Sequence, residues 1–156
     1  MVWLLAAAPQ QGSVAPDFTA RDVHGNLLKL SEMVKTGTVV LAFFPKAFTL
    51  GCTREMKAYQ ARIEELKAAH AKVVAVSTDS PEALRRFQHA LNASFHFVSD
   101  TDGSLTRLYD TKFPFFNIAS RRTFVIGKGR TVLKVEEGAD AIDPAEAVSA
   151  TALYRR

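Results

Sequence analysis

The stretch TVVLAFFPKAFTLGCTREM, residues 38–56, decides the fold. Its first seven residues form a continuous, β-branched, apolar run with no alternating polar face. Such a run reads as a strand buried on both faces, and helices must then cover both sides of its sheet. Pro45 ends the run. Beyond it, Met56, Tyr59, Ile63, Leu66 and His70 recur at steps of three and four, which predicts one helix from about Cys52 to His70. KVVAVS (72–77) is a second buried strand. Strand, crossover helix and strand make a parallel, right-handed unit.

Downstream, Ser80 and Pro81 start a helix whose inner face is Leu84, Phe87 and Leu91. FHFVSD (95–100) reads as a short strand and SLTRLYD (104–110) as a short helix. TFVIG (123–127) and TVLKVEE (131–137) flank the turn KGR as a hairpin. DPAEAVSATAL closes the chain as a helix, with Asp143 and Glu146 as a capping-box pair. Upstream, segments 17–20 and 27–30 flank VHGN and predict a small N-terminal β-hairpin. The expectation is an α/β fold in one domain, residues 1–156: a central mixed sheet, helices on both faces, and the hairpin.

The 156 residues are 47% apolar and 23% charged, enough for a real hydrophobic core. The net charge of +4 raises the question of nucleic acid, but TREMKAYQARIEELKAAHAK carries both signs throughout, as a solvated face does. Only SRR (120–122), Arg130 and the terminal YRR are one-signed. No nucleic-acid partner is expected. The opening MVWLLAAAPQQG is apolar from Val2 to Ala8, too short to span a bilayer and without a basic n-region. A cytoplasmic protein without a membrane partner is expected. The histidines, 24, 70, 89 and 96, lack metal-ligand spacing; His70 reads as the end of a helix face and the others as surface or loop. No metal is expected.

Cys52 is the only cysteine, which excludes an intrachain disulfide and a cysteine-based zinc site and fits a reducing compartment. Ligands in open α/β sheets gather beyond the C-terminal ends of the strands, where residues 45–52 fall. Two readings of Cys52 stand side by side. A lone cysteine is often a small buried hydrophobe. In the first turn of a helix, free N–H groups and the positive dipole end instead favour an anionic, reactive sulfur. Thr49 is either the N-cap or a hydroxyl that reaches the sulfur or whatever the sulfur attacks. Pro45 either ends the strand or joins Phe48 in an apolar wall that keeps water from the sulfur.

FPKAFTLGCTRE resembles the peroxiredoxin active-site signature: a proline, three residues, a threonine, two residues and the peroxidatic cysteine, here Pro45, Thr49 and Cys52. SVAPDFTARDVHGNLLKLSEM, VVAVSTDSPEALRRF, FHFVSDTDGSLTRLYD and RRTFVIG extend the similarity over about residues 13 to 137. The resemblance implies a thioredoxin-like fold. It also implies a catalytic arginine three residues before the phenylalanine of a distant strand. Phe124 points to Arg121, with Arg122 as the alternative, and Glu55 would orient the arginine. The implied activity is thiol-dependent reduction of hydrogen peroxide and organic hydroperoxides to water or alcohol. It passes through a Cys52 sulfenic acid and needs no metal, flavin or haem cofactor.

Two departures refine this. The bacterioferritin-comigratory, or Q-type, subgroup often carries a resolving cysteine five residues on, where Lys57 stands. An external thiol is therefore expected as partner: a thioredoxin, a glutaredoxin or a low-molecular-weight thiol. The AFT before the cysteine also resembles single-cysteine alkyl-hydroperoxide enzymes, so two subfamilies stay open. Gly127 stands where relatives usually show an aspartate, a change expected to alter only the turn. Thr49 occupies the first position of a Cys-x-x-Cys, against dithiol exchange. The same site would serve a redox relay that passes a disulfide to a partner, and the bare fold would serve a silent holdase. The family contains monomers and homodimers, and either is open here.

Overall fold

The structure is a computed structural model that describes residues 7–153. The apolar start of the N-terminus, through residue 6, and the terminal YRR lie outside the described residues. The elements run β1 (Thr19–Arg21), β2 (Leu27–Lys29), α1 (Leu30–Met33), β3 (Thr38–Phe43), α2 (Leu50–Ala61), α3 (Ile63–Ala68) and β4 (Ala71–Ser77). They continue α4 (Pro81–Leu91), β5 (His96–Ser99), α5 (Ser104–Leu108), β6 (Arg122–Ile126), β7 (Val132–Glu137) and α6 (Ala145–Leu153). The central sheet has the order β5-β4-β3-β6-β7. β4 pairs in parallel with β3 and β5, while β6 runs antiparallel to both β3 and β7. β1 and β2 form the separate expected hairpin. This is the mixed, thioredoxin-like arrangement that the resemblance implies.

The all-apolar β3 explains itself once both faces are seen. Val40, Ala42 and Phe44 face a core with Met56, Tyr59, Leu84 and Phe87. Val39, Leu41 and Phe43 face the opposite core, with Phe18, Leu28, Tyr109 and Phe124. Side chains alternate across a strand, so burial on both sides demands apolar residues at every position. Each large side chain fully buried there contributes about 1.5–3 kcal/mol.

Local signals hold in several places. The Ser80 hydroxyl accepts from the Ala83 N–H at 3.2 Å, with Pro81 at the first helical position. Asp22 closes the hairpin by accepting from the His24 and Asn26 amides.

Other expectations are corrected. The predicted single helix over 52–70 starts earlier, at Leu50, and breaks at Arg62 (φ −106°, ψ 16°). There the Arg62 N–H bonds to the Tyr59 carbonyl, a tighter three-residue turn. No proline or glycine marks the break. Its cause is tertiary: α2 packs on α4, whereas α3 packs on β4 and α6. His70 is not part of a buried face: it is exposed, adopts φ 56° and ends α3. Leu30 begins a short helix rather than ending a strand. Asp143 caps through the Ala145 N–H, but Glu146 reaches Lys134 (3.6 Å) instead of completing a capping box.

Gly37 carries one consequence for stability. A Cβ built there would meet the His70 carbonyl oxygen at 1.8 Å. That carbonyl also accepts from the Thr38 N–H, so it cannot move without loosening the start of β3. Gly37→Ala is expected to destabilise the fold by about 2–4 kcal/mol, in the range of severe steric substitutions. Urea unfolding of the two proteins measures it.

Candidate active site

At the C-terminal end of β3 the chain is still tied to the sheet by the Phe44 N–H, which bonds to the Val76 carbonyl. Pro45 has no N–H, so the ladder stops there; the residue is half-buried. Asp79 then fixes the loop, accepting from the Ala47 N–H at 2.8 Å and from the Ser77 hydroxyl at 2.7 Å. Phe48 turns the chain with φ 65°, its ring 5.1 Å from that of Phe87. Phe48 and Leu50 remain exposed on either side of Thr49.

Thr49 holds the N-cap position of α2, but its side chain makes no capping bond. Its hydroxyl donates to the Lys46 carbonyl at 2.7 Å. The first in-helix bond runs from the Thr53 N–H to the Thr49 carbonyl. The amides of Leu50, Gly51 and Cys52 precede it and have no helical carbonyl to bond. Cys52 therefore sits in the first turn, on the apolar side of α2, and is 1% exposed.

Arg121 stands just before β6. The register places Arg122 opposite Phe43, so β6 begins where β3 ends, beside the mouth of α2. Arg121 Nη2 donates to Cys52 Sγ at 3.0 Å, and Nε donates to Glu55 Oε1 at 2.9 Å. One planar guanidinium thus spans sulfur and carboxylate, a charge-assisted, fixed geometry. Arg122 points elsewhere, bonding Glu137 at 3.0 Å. Of the two arginines considered, only Arg121 lies against the sulfur. The structure brings together Cys52, Arg121 and Glu55, with Thr49 and Pro45 on the loop that leads to them. Lys57, one turn further along α2, is exposed.

Glu55 is fully buried beside Arg121. Burial pushes its carboxyl up to about 8, against the charge and hydrogen bond of Arg121, and nearby Glu136 adds to the rise. Burial likewise lifts Glu136 to about 7, with Lys134 opposing and Glu146, Asp140 and Asp143 reinforcing. Tyr59 lies one turn beyond Glu55; burial and the Glu55 charge both raise its phenol.

Two features escape a reading of the sequence. Gly51 gives Arg121 its place: a Cβ on Gly51 would come within 3.0 Å of Arg121 Nη2. The available signal is a poor helix former set in a first turn beside the cysteine. Glu136 carries no such signal, since in TVLKVEE it reads as an ordinary strand acid. Among the described residues, no cluster of three or more His, Cys, Asp or Glu side chains could hold a metal ion. No described helix is long and apolar enough to cross a membrane.

The chain is 32% identical over 127 residues to the chloroplastic peroxiredoxin Q of Gentiana triflora, covering 81% of this chain and 58% of that one. It is 36% identical over 91 residues to peroxiredoxin Bcp of Escherichia coli (strain K12), covering 58% of each. It thus spans less than two thirds of the length of these curated relatives. The crystal structure of peroxidoxin BcpB from Mycobacterium tuberculosis superposes with a TM-score of 0.87 at 28% identity, over 94% of this chain and 98% of that one. Peroxiredoxin Q of Xanthomonas campestris, at 24% identity and a TM-score of 0.80, covers 89% and 92% and shares the fold. The AhpC/TSA family model matches residues 11–135. That match takes in the loop, α2 and the arginine before β6, and the chain belongs to the AhpC/TSA family.

Proposed function

We propose that this protein is a thiol-dependent peroxidase that reduces hydrogen peroxide and organic hydroperoxides through Cys52. The observation that carries the proposal is the 3.0 Å contact from Arg121 Nη2 to Cys52 Sγ, with Glu55 holding the same guanidinium at 2.9 Å. The sulfur anion attacks one peroxide oxygen. The S–O bond forms as the O–O bond breaks, and the electron pair leaves on the distal oxygen, which takes a proton to become water or alcohol. Negative charge moves from sulfur onto the leaving oxygen. Arg121 and the unpaired amides of the first turn of α2 are donors already in place for that charge. The Thr49 hydroxyl joins them only if it releases the Lys46 carbonyl. Exposed Phe48 and Leu50 at the helix mouth suit the alkyl group of an organic hydroperoxide.

The product is Cys52 sulfenic acid. With no second cysteine in the chain, an external thiol condenses with it, releasing water and leaving a mixed disulfide. A second thiol then regenerates Cys52. The test follows peroxide consumption with dithiothreitol, glutathione or a thioredoxin system as reductant, with dimedone trapping of the sulfenic acid after one equivalent of peroxide. The expected result is dimedone label on Cys52 and turnover with at least one of the three. Peroxide left intact, with no trapped sulfenate, would overturn the proposal.

A further inference from the structure

Four buried side-chain atoms among the described residues have no hydrogen-bond partner: Glu55 Oε2, Arg122 Nε, Thr123 Oγ1 and Glu136 Oε1. Buried polar atoms are nearly always paired, so their location matters. Apart from Arg122, whose side chain turns to Glu137, they are not scattered. Thr123 and Glu136 are direct cross-strand partners on β6 and β7, so their side chains share a face of the sheet. Arg121 is two residues before Thr123, on that same face. Glu55, on α2, closes the group through its bond to Arg121. One carboxyl with an unpaired buried oxygen, Glu55, therefore holds the guanidinium that touches the sulfur, and a second, Glu136, lies on the same face of the sheet. On the outer side, Glu136 forms part of a cleft of about 1010 Å³ that opens between β7, α6 and residues 7–11.

We propose that Glu136 is a positioning residue for the Cys52 site: with Glu55 it forms a buried acid pair whose charge sets how much of the Arg121 charge is left for the sulfur. The inference rests on the peroxidase reading for its kinetic consequence but not for its structural one. Two buried carboxyl groups in one site resist ionising together, and their titration belongs to the pair. Burial has already lifted Glu136 to about 7 and Glu55 to about 8. While the pair is neutral, Arg121 presents its full charge to sulfur and peroxide. Each proton lost cancels part of that charge. The other groups that bear on Glu136 are Tyr59 on α2, Lys134 on β7, Glu146 on α6, and Asp140 and Asp143 in the turn between. Tyr59 stays neutral, its phenol raised by burial. Glu146, Asp140 and Asp143 are exposed at the cleft, where water screens them, whereas Glu55 and Glu136 are buried.

The test uses Glu136→Gln, which keeps the shape and removes the proton. Thiolate is quantified by its ultraviolet absorbance, and the rate constant for peroxide attack is expressed per thiolate from pH 6 to 8.5. In the wild type this constant is expected to fall roughly threefold to tenfold as the pair ionises. In Glu136→Gln it should fall less than about half as much on a logarithmic scale. Infrared spectroscopy supplies a readout independent of peroxide: a protonated carboxyl C=O band that titrates near neutrality in the wild type and loses intensity in the variant. Alkylation of Cys52 by iodoacetamide, again per thiolate, gives the same comparison if peroxide is not a substrate. Parallel pH profiles for the two proteins, or no carboxyl band titrating near neutrality, would overturn the assignment. A purely structural role would lower the melting temperature and shift all rates together without changing the shape of the profile.

Discussion

Replacing Cys52 by serine is expected to abolish peroxide consumption, a loss of at least ~10³-fold, while leaving the fold intact. The reason lies in both halves of the change. Serine has nearly the shape of cysteine and can occupy the same site in the first turn of α2, beside Phe44 and Met56 in the helix-side core. Its hydroxyl can still accept from Arg121 Nη2, so the guanidinium keeps both partners. Melting temperature should therefore change little. The chemistry disappears because an alcohol is a far weaker nucleophile at neutral pH than a thiolate. Residual consumption equal to the wild type would place the reactive group elsewhere. Since Cys52 is the sole cysteine, a mass spectrum of the oxidised protein gives an independent check. Dimedone should label the wild type once and the variant not at all.

Replacing Arg121 by alanine is the second large effect, expected to slow sulfenate formation by about 10²–10³-fold, the cost of losing one preorganised donor at a developing anion. The residue does two things at once. Nη2 aims a charged donor at the sulfur, and Nε donates to the fully buried Glu55 carboxyl. Removing it strands Glu55 in the core without its partner. Breaking a buried ion pair costs about 3–5 kcal/mol when the remaining charge cannot escape. Glu55 does have an escape, since burial already raises its carboxyl to about 8 and loss of Arg121 removes the main opposing influence. The acid should bind a proton, so the stability loss falls below that range while the kinetic loss remains. Arg121→Lys separates the two roles. An ammonium keeps the charge but cannot bridge sulfur and carboxylate as a planar fork, so it should restore stability more fully than rate. Stopped-flow kinetics of single-turnover oxidation and thermal unfolding, measured on all three proteins, decide it. Equal rates for wild type and Arg121→Ala would remove Arg121 from the chemistry.

Much of this was legible without coordinates because it depends on neighbours in the chain. The unbroken apolar run before Pro45 has no polar face, so it demands a two-sided cover of helices. Ser80 and Pro81 announce a helix start through their own backbone chemistry. Cys52 falls in a first turn because a strand terminator and a helical period lie a few residues apart. The choice of Arg121 over Arg122 was readable only through the spacing to Phe124 carried by a family resemblance; the residues alone present two equivalent cations.

What sequence could not reveal depends on elements that meet late. The break at Arg62 exists because α2 and α3 pack on different partners, while the apolar spacing runs through it unchanged. Thr49 stands at the cap position that its type favours, yet its hydroxyl turns to the Lys46 carbonyl, a choice made by the local loop geometry. Gly51 matters only because an arginine from seventy residues away lies across it. Glu136, an ordinary strand acid by type, is buried only because its strand pairs with β6. The amino-acid sequence by itself determined the two-sided sheet and the place of its one thiol in the first turn of a helix, since periodicity and helix ends are local physics. The tertiary structure decided the charge around the thiol: it set Arg121 against the sulfur and Glu55 against Arg121. Electrostatics in a buried site depends on distance and desolvation, and both exist only once the chain has packed.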